Sequence, residues 1–366
     1  VLATLPAHAK RPHGARAQAP IRVLIVDDSV VARAVLTRLL GEYDDIEVVA
    51  QAGSAESARQ ILDGTKVDII LLDLEMPGMG GLAALPDLIQ NGDGARVLIV
   101  SSACADGAAS SIAALRLGAA DTLLKPGAVQ YTGRFAEDLV DSLRRIARPG
   151  KVEPRARIAH SATTPQKSST RRLECLGIGS STGGVHALAR FFGALPKSFT
   201  TPILITQHLP APFMPYFAGQ LTEMTGRPTR VGAPGLQPQP GELLLAPGDA
   251  HMTLVQTGPV IHVRLERKRA VSGCMPSVDP MLTSIGKVYG SSAVGVILSG
   301  MGRDGVLGAG DLVASGGSVL AQDEATSVVW GMPGAVANAR LAQAVLPPDE
   351  LARRIAAWSE GDTAWK

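Results

Sequence analysis

Aromatic residues are scarce in this chain, at 4% of 366 residues, so its cores have to be built from Val, Ile, Leu and Ala. Cysteine is scarcer still. Cys104, Cys175 and Cys274 are three, an odd number, and far apart. That excludes a disulfide scaffold and fits reduced thiols in a cytoplasmic protein. No apolar run exceeds strand length, which leaves no segment able to cross a bilayer as a helix. A strong excess of one charge is also missing, since the formal net charge is only +2. Residues 21–147 carry 18 acidic against 11 basic side chains, 148–172 one against seven, and 173–366 fourteen of each. Neither half is basic enough to bind nucleic acid. What remains is 46% hydrophobic and 19% charged, the composition of compact globular structure, in a chain long enough for two domains.

Residues 1–20 are Pro- and Ala-rich, with Lys10, Arg11 and Arg16, and are expected to form a disordered extension. Their apolar start is too short for a signal peptide. From Ile21, short apolar runs (Ile21–Val26, Ile46–Ala50, Val67–Leu72, Val97–Val100, Thr122–Leu124) alternate with amphipathic segments near 30–40, 54–62, 81–90, 107–117 and 134–147. Five such repeats predict a five-stranded parallel α/β domain over 21–147. Residues 148–172 hold three prolines and no apolar periodicity, so a flexible basic linker is expected. A second alternation begins at Leu173. It has strands at Leu173–Ile178, Pro202–Thr206, Ala293–Leu298 and Ser318–Ala321, and helices near 184–192, 213–225, 279–289, 306–315 and 348–357. His251–Val255 and Val260–Leu265 flank a Gln-Thr-Gly-Pro turn and read as a β-hairpin. The domain expected over 173–366 is therefore doubly wound α/β with an antiparallel insertion.

In the first domain, Asp27 and Asp28 follow strand one, Asp73 strand three, Ser101 strand four and Lys125 strand five. All lie at the carboxyl edge of one parallel sheet, where such sheets bind their ligands. Three converging carboxylates repel one another and attract a hard divalent cation, most naturally Mg²⁺, while a lysine offsets the remaining charge. An isolated Asp at a strand end usually does no more than end the strand; the whole set is another matter. These residues resemble those of response-regulator receiver domains, which have a flavodoxin-like fold. The resemblance implies that Asp73 accepts a phosphoryl group from a histidine kinase. It also implies that Asp28, Asp73 and the Glu75 carbonyl hold Mg²⁺ with Asp27 in support, and that Ser101 and Lys125 contact the phosphoryl group. Thr122 stands where many receivers carry an aromatic switch residue, and Gly80 where an acid is common.

In the second domain, Gly179-x-Ser181-x-Gly183 follows an apolar strand and fits a nucleophile turn, whose next helix offers free N–H groups to developing negative charge. Alone the pattern is weak. Gly177-x-Gly179-x-x-Thr182 nearly matches a dinucleotide fingerprint, but it lacks the third glycine and a suitably placed acid. A serine nucleophile needs a base and an orienting acid. His8, His13 and His160 fall in expected disorder, and His186 and His262 sit within a helix and the hairpin. His208 follows a strand at the same sheet edge as Ser181, with His251 a weaker rival. Asp304 and Asp323 both follow strands, and geometry leaves both open. The order Ser, His, Asp differs from that of α/β-hydrolases.

That order resembles the chemotaxis-specific protein-glutamate methylesterase family. So do the strings Ser181-Thr182-Gly183-Gly184, Gln207-His208, Pro276-Ser277-Val278-Asp279, Gly300-Met301-Gly302-Arg303-Asp304-Gly305, Gln322-Asp323-Glu324-Ala325-Thr326 and Gly331-Met332-Pro333. The resemblance implies a triad of Ser181, His208 and Asp304, with oxyanion donors at the Thr182 and Met301 backbone N–H groups and no metal at the serine. It further implies demethylation of glutamyl γ-methyl esters and deamidation of glutamines on chemoreceptors, under control of a chemotaxis histidine kinase. A cytoplasmic monomer that neither enters a membrane nor binds nucleic acid is expected. A receiver-linked binding module and an esterase for small substrates are the rival readings.

Overall fold

The structure is a computed structural model that describes residues 19–101, 105–125, 134–147 and 172–359. Nearly all of the expected extension and linker, together with His8, His13, Cys104 and His160, lies outside the described residues.

The first unit runs β1 (Ile21–Val26), α1 (Val30–Leu40), β2 (Ile46–Ala52), α2 (Ala55–Leu62), β3 (Ile69–Leu72), α3 (Gly80–Asn91), β4 (Arg96–Ser101), α4 (Ala105–Arg116), β5 (Asp121–Leu124) and α5 (Arg134–Ala147). The central strands are apolar on both faces, and all four residues of β3 are buried, as a sheet covered by helices on both sides requires. Local chemistry sets the helix starts. The Ser29 hydroxyl accepts from the Ala32 N–H at 3.2 Å. Ser54 and Ser57 cap α2 reciprocally. The strand order is β2-β1-β3-β4-β5, all parallel. It reverses between β1 and β3, so a crevice opens at their carboxyl ends, where Asp27, Asp28 and Asp73 stand.

The second unit has β6 (Cys175–Ser180), α6 (Gly184–Ala194), β7 (Ile203–Gln207), α7 (Met214–Thr225), β8 (Thr229–Val231) and β9 (Leu243–Leu245). It continues with the hairpin β10 (His251–Thr257) and β11 (Val260–Glu266), then α8 (Val278–Tyr289), β12 (Ala293–Ile297), α9 (Val306–Ala314), β13 (Ser318–Gln322), α10 (Met332–Asn338), β14 (Ala344–Leu346) and α11 (Pro348–Ser359). Seven strands form one parallel sheet in the order β14-β13-β12-β6-β7-β9-β8, and β10 and β11 pair antiparallel apart from it. The reversal lies between β6 and β12, so the second crevice opens at Ser181 and Gly300. The expected strands and hairpin are present, and β8, β9, β14 and the short α10 are additions to them.

Two glycines in β6 decide how closely α8 approaches. A Cβ at Gly179 would stand 2.5 Å from Val278 Cγ1, and one at Gly177 2.7 Å from Ile285 Cδ1. Only a bare backbone lets α8 lie directly on the sheet. The near-fingerprint Gly177-x-Gly179 therefore marks a helix–strand contact, and that contact delivers the start of α8 to the crevice.

The two units are packed together. Helix α4 lies against α6, α7 and the short 3₁₀ turn Ala211–Phe213. The Gln220 amide donates to the Ile112 carbonyl at 3.3 Å, the Arg96 guanidinium donates to the Val328 carbonyl, and Val328 packs on the receiver-side core.

Candidate active site

Ser181 and His208 are the first residues past two neighbouring strands. Ser180 pairs with Gln207 in the β6–β7 register, and the His208 N–H donates to the Ser180 carbonyl at 3.0 Å. The serine loop is fixed from below. The Ser181 N–H donates to the Ser299 carbonyl at 3.0 Å, the Gln207 amide donates to the Ser181 carbonyl at 2.9 Å, and the Ser299 hydroxyl donates to the Thr182 carbonyl at 2.8 Å. Gly183 then opens α6 at φ 76°, where a Cβ would fall 2.4 Å from Val328. Glycine is required twice over there, by conformation and by space.

His208 Nε2 is 2.8 Å from Asp304 Oδ2. Asp304 is almost wholly buried, and both of its oxygens are occupied. Oδ1 accepts from the Ser277 hydroxyl at 2.6 Å and Oδ2 also accepts from the Val278 N–H at 2.7 Å. Of the two acids open to the role of orienter, Asp304 is thus the one beside the imidazole. Asp323 accepts from the Thr326 hydroxyl and closes the turn after β13. His251, the rival base, is buried, with Nε2 against the Lys268 carbonyl and Nδ1 accepting from the Ser277 N–H. The Ser181 hydroxyl makes no hydrogen bond to His208 among the described residues. Thr182 and Met301 flank the crevice, and among the described residues neither backbone N–H donates a hydrogen bond.

In the acidic pocket, oxygens of Asp27, Asp28 and Asp73 lie within 4.8 Å of one another. Lys125 Nζ donates to Asp73 Oδ2 at 2.6 Å and to Asp27 Oδ2 at 3.0 Å. The Glu75 N–H donates to Asp73 Oδ1 at 3.2 Å, and the buried Ser101 hydroxyl donates to the Gly107 carbonyl in α4 at 3.1 Å. Burial pushes the Asp73 carboxyl above its usual range, against the opposing pull of Lys125. The oxygen-only donor set suits a hard cation such as Mg²⁺.

Residues 176–355 match the CheB methylesterase family, and residues 23–131 match the response regulator receiver domain. A protein-glutamate methylesterase/protein-glutamine glutaminase of Caulobacter vibrioides is 42% identical over 92% of this chain and 98% of its own length. One from Paramagnetospirillum magneticum is 39% identical over 91% and 94%. The chain belongs to this family. It is a CheB-type methylesterase/glutaminase of chemotactic adaptation with an N-terminal receiver domain. The Thermotoga maritima CheB methylesterase catalytic domain, a crystal structure, shares 33% identity, covering 51% of this chain and 98% of that one at a TM-score of 0.49.

Several contacts of this CheB-type site carry no signal of their own in the sequence. Burial alone would raise the Asp304 carboxyl, but His208, the Ser277 hydroxyl and the Val278 N–H together hold it well below the ordinary range. Ser277 and Val278 begin α8, so a helix N-terminus faces a carboxylate, the favourable polarity. Beside them Asp279 is raised to about 6, by burial first and by the Asp304 charge as well, and its Oδ1 accepts from the Gly308 N–H at 2.8 Å. It ties the start of α9 to α8. Ser277 had one readable cue, a serine placed to cap a helix; its bond to Asp304 depends on the β6 glycines.

The receiver reaches the serine loop directly. The Gly183 N–H donates to the Ala120 carbonyl at 2.8 Å, and the Thr182 hydroxyl donates to Asp121 Oδ2 at 2.5 Å. Burial raises the Asp121 carboxyl, while the Thr182 hydroxyl pulls the other way. Thr122, next to it, has a buried hydroxyl with no hydrogen-bond partner among the described residues.

Proposed function

We propose that Ser181 is the nucleophile, His208 the general base and Asp304 its orienting acid. The observation that carries this reading is the His208–Asp304 bond at the strand-order reversal, one residue past the strand that pairs with the serine strand. With Nε2–H given to Asp304, the neutral imidazole has its Nδ1 lone pair free for the serine proton. Ser181 Oγ adds to the ester carbonyl of a glutamyl γ-methyl ester as the proton passes to His208. The Thr182 and Met301 N–H groups, which have no other partner among the described residues, take the negative charge that forms on the carbonyl oxygen. The imidazolium returns the proton to the leaving oxygen as methanol departs. Water, deprotonated by His208, then splits the acyl-enzyme to glutamate and free serine. A glutamine side chain follows the same path and releases ammonia.

The substrates of this reading are the methylated cytoplasmic parts of chemoreceptors, and its setting is a cytoplasmic monomer. No helix among the described residues is long and apolar enough to cross a membrane. Purified protein incubated with methylated receptor fragments is expected to release methanol. No release, together with no Ser181 labelling by a fluorophosphonate, would exclude the serine mechanism and leave the binding-module reading.

Asp73 is the phosphoacceptor, with a chemotaxis histidine kinase as donor. Asp28 and Asp73 side chains and the Glu75 carbonyl would hold Mg²⁺, with Asp27 in support. The cation offsets the charge that accumulates when a phosphoryl group meets a carboxylate. Lys125, already bonded to Asp73, and Ser101 are the receiver groups that answer to the new phosphoryl oxygens. Treatment with acetyl phosphate and Mg²⁺ should add one phosphoryl mass to the wild type and none to Asp73→Asn. An unchanged adduct in the variant would put the acceptor elsewhere.

The docked receiver keeps the hydrolase off. The Thr182 hydroxyl is held by Asp121 and the Gly183 N–H by the Ala120 carbonyl, so the receiver grips the loop that has to receive the substrate carbonyl. Strand β5 spans four residues from Asp121 to Leu124, and Lys125 follows at once. One short segment therefore joins the phosphorylation pocket to the serine loop, and displacing Lys125 pulls on the dock. A charge-assisted hydrogen bond contributes about 1.5–3 kcal/mol, so Asp121→Ala in the full chain should raise the unphosphorylated rate roughly tenfold or more. The phosphorylated rate should barely change. Equal rates in variant and wild type before phosphorylation would remove Asp121 as the latch.

A further inference from the structure

Cys274 lies in the loop before α8, and neither the proposed triad nor the receiver uses it. Its Sγ, a ring nitrogen of His208 and a carboxylate oxygen of Asp304 all lie within 4.8 Å of one another. The three come from separate segments, the end of β7, the loop before α8 and the loop after β12, so helical spacing does not explain their convergence. Cys274 is half-buried and His208 part-exposed, which leaves a solvent path, whereas Asp304 forms the buried floor.

We propose that His208, Cys274 and Asp304 form a binding site for a thiophilic divalent cation of the Zn²⁺ type, and that its occupation switches the hydrolase off. A thiolate, an imidazole and a carboxylate are a zinc donor set, and three protein ligands leave a fourth position for water. Bond lengths near 2.3 Å to sulfur and 2.0–2.2 Å to nitrogen and oxygen set ligand atoms about 3.3–3.6 Å apart in tetrahedral geometry. Reaching that spacing takes a side-chain rotation that brings Cys274 Sγ inward and a small opening of the 2.8 Å His208–Asp304 pair. The Ser277 hydroxyl and Val278 N–H already hold the Asp304 carboxylate, as outer-shell donors hold a metal-bound carboxylate. A cation here takes the imidazole lone pair and the carboxylate charge together, so His208 can no longer accept the serine proton. The soft sulfur donor also separates this site from the oxygen-only pocket of the receiver, which favours Mg²⁺.

The effect on turnover rests on the triad reading; the metal site itself does not. The full-length protein, with Mg²⁺ in excess, is titrated with Co²⁺ and the thiolate-to-cobalt charge-transfer absorption is followed. One equivalent should develop the band in wild type and in Cys104→Ser, and Cys274→Ser should lack it. Zn²⁺ is then titrated into the methanol-release assay, each protein being referred to its own rate in chelator. The half-inhibitory Zn²⁺ concentration should rise at least about tenfold in Cys274→Ser, the scale on which a lost metal contact weakens a site. Excess chelator should restore the wild-type rate. An undiminished cobalt band in Cys274→Ser, or no band in wild type, overturns the site. A band bound through Cys274 without inhibition upholds the site and counts instead against His208 and Asp304 as catalytic groups.

Discussion

Ser181→Ala is expected to lower receptor demethylation by about 10⁶-fold, the cost of losing the nucleophile from a hydrolase triad, and to leave the fold as it is. The two parts of that expectation have separate causes. In the proposed mechanism the side chain carries the chemistry, since its oxygen forms the acyl-enzyme. The backbone carries the structure: its N–H is held by Ser299, its carbonyl by Gln207, and neither bond involves the hydroxyl. Removing one oxygen from a part-exposed side chain with no hydrogen-bond partner among the described residues empties no buried site. Residual turnover should come from the Thr182 and Met301 N–H groups and from substrate binding. The measurements are methanol release at high enzyme concentration and a thermal melt. A folded variant that keeps more than about a hundredth of wild-type turnover would mean that water, not Ser181, attacks the ester, since loss of a true nucleophile costs far more.

Much of this architecture is legible without coordinates because parallel sheets are covered on both faces, so their strands read as unbroken apolar runs. Ile69–Leu72 and Ala293–Leu298 are such runs, and the polar residues that end them mark both crevices. Strands β8, β9 and β14 escape that reading because each has three residues. Helix α10 escapes it because Pro333 and Gly334 in its first turn look like a turn in sequence, although proline fits a helix start well. At the site, Ser181 and His208 were readable as residues just past strands, whereas Asp304 and Asp323 were equivalent by that rule. What separates them is the approach of α8, and that approach depends on the absent side chains of Gly177 and Gly179. The Asp121–Thr182 contact had no local signal at all. An acid at the start of a strand is unremarkable until another domain supplies a hydroxyl.

Asp304→Asn is expected to cost about 10⁴-fold in kcat, the loss seen when a triad acid becomes its neutral isostere, and Asp323→Asn less than about tenfold. The amide fits the site without unfolding it. Its oxygen can take the Oδ2 position and accept from His208 and the Val278 N–H. Its NH₂ at the Oδ1 position can donate to Ser277, whose hydroxyl rotates to accept. What is lost is the negative charge, which burial keeps strong and which, in the proposed mechanism, stabilises the imidazolium that forms as the serine proton leaves. Asp279 provides a second readout. Its carboxyl is raised to about 6 by burial and by the Asp304 charge, so neutralising Asp304 removes one cause and the Asp279 pKa must fall. A carboxyl whose titration moves down in Asp304→Asn and stays in place in Asp323→Asn, followed by NMR on folded protein, ties the kinetic loss to the charge at position 304. If Asp323→Asn proves the more damaging change, the orienting acid lies on the loop after β13, and the His208–Asp304 bond is structural.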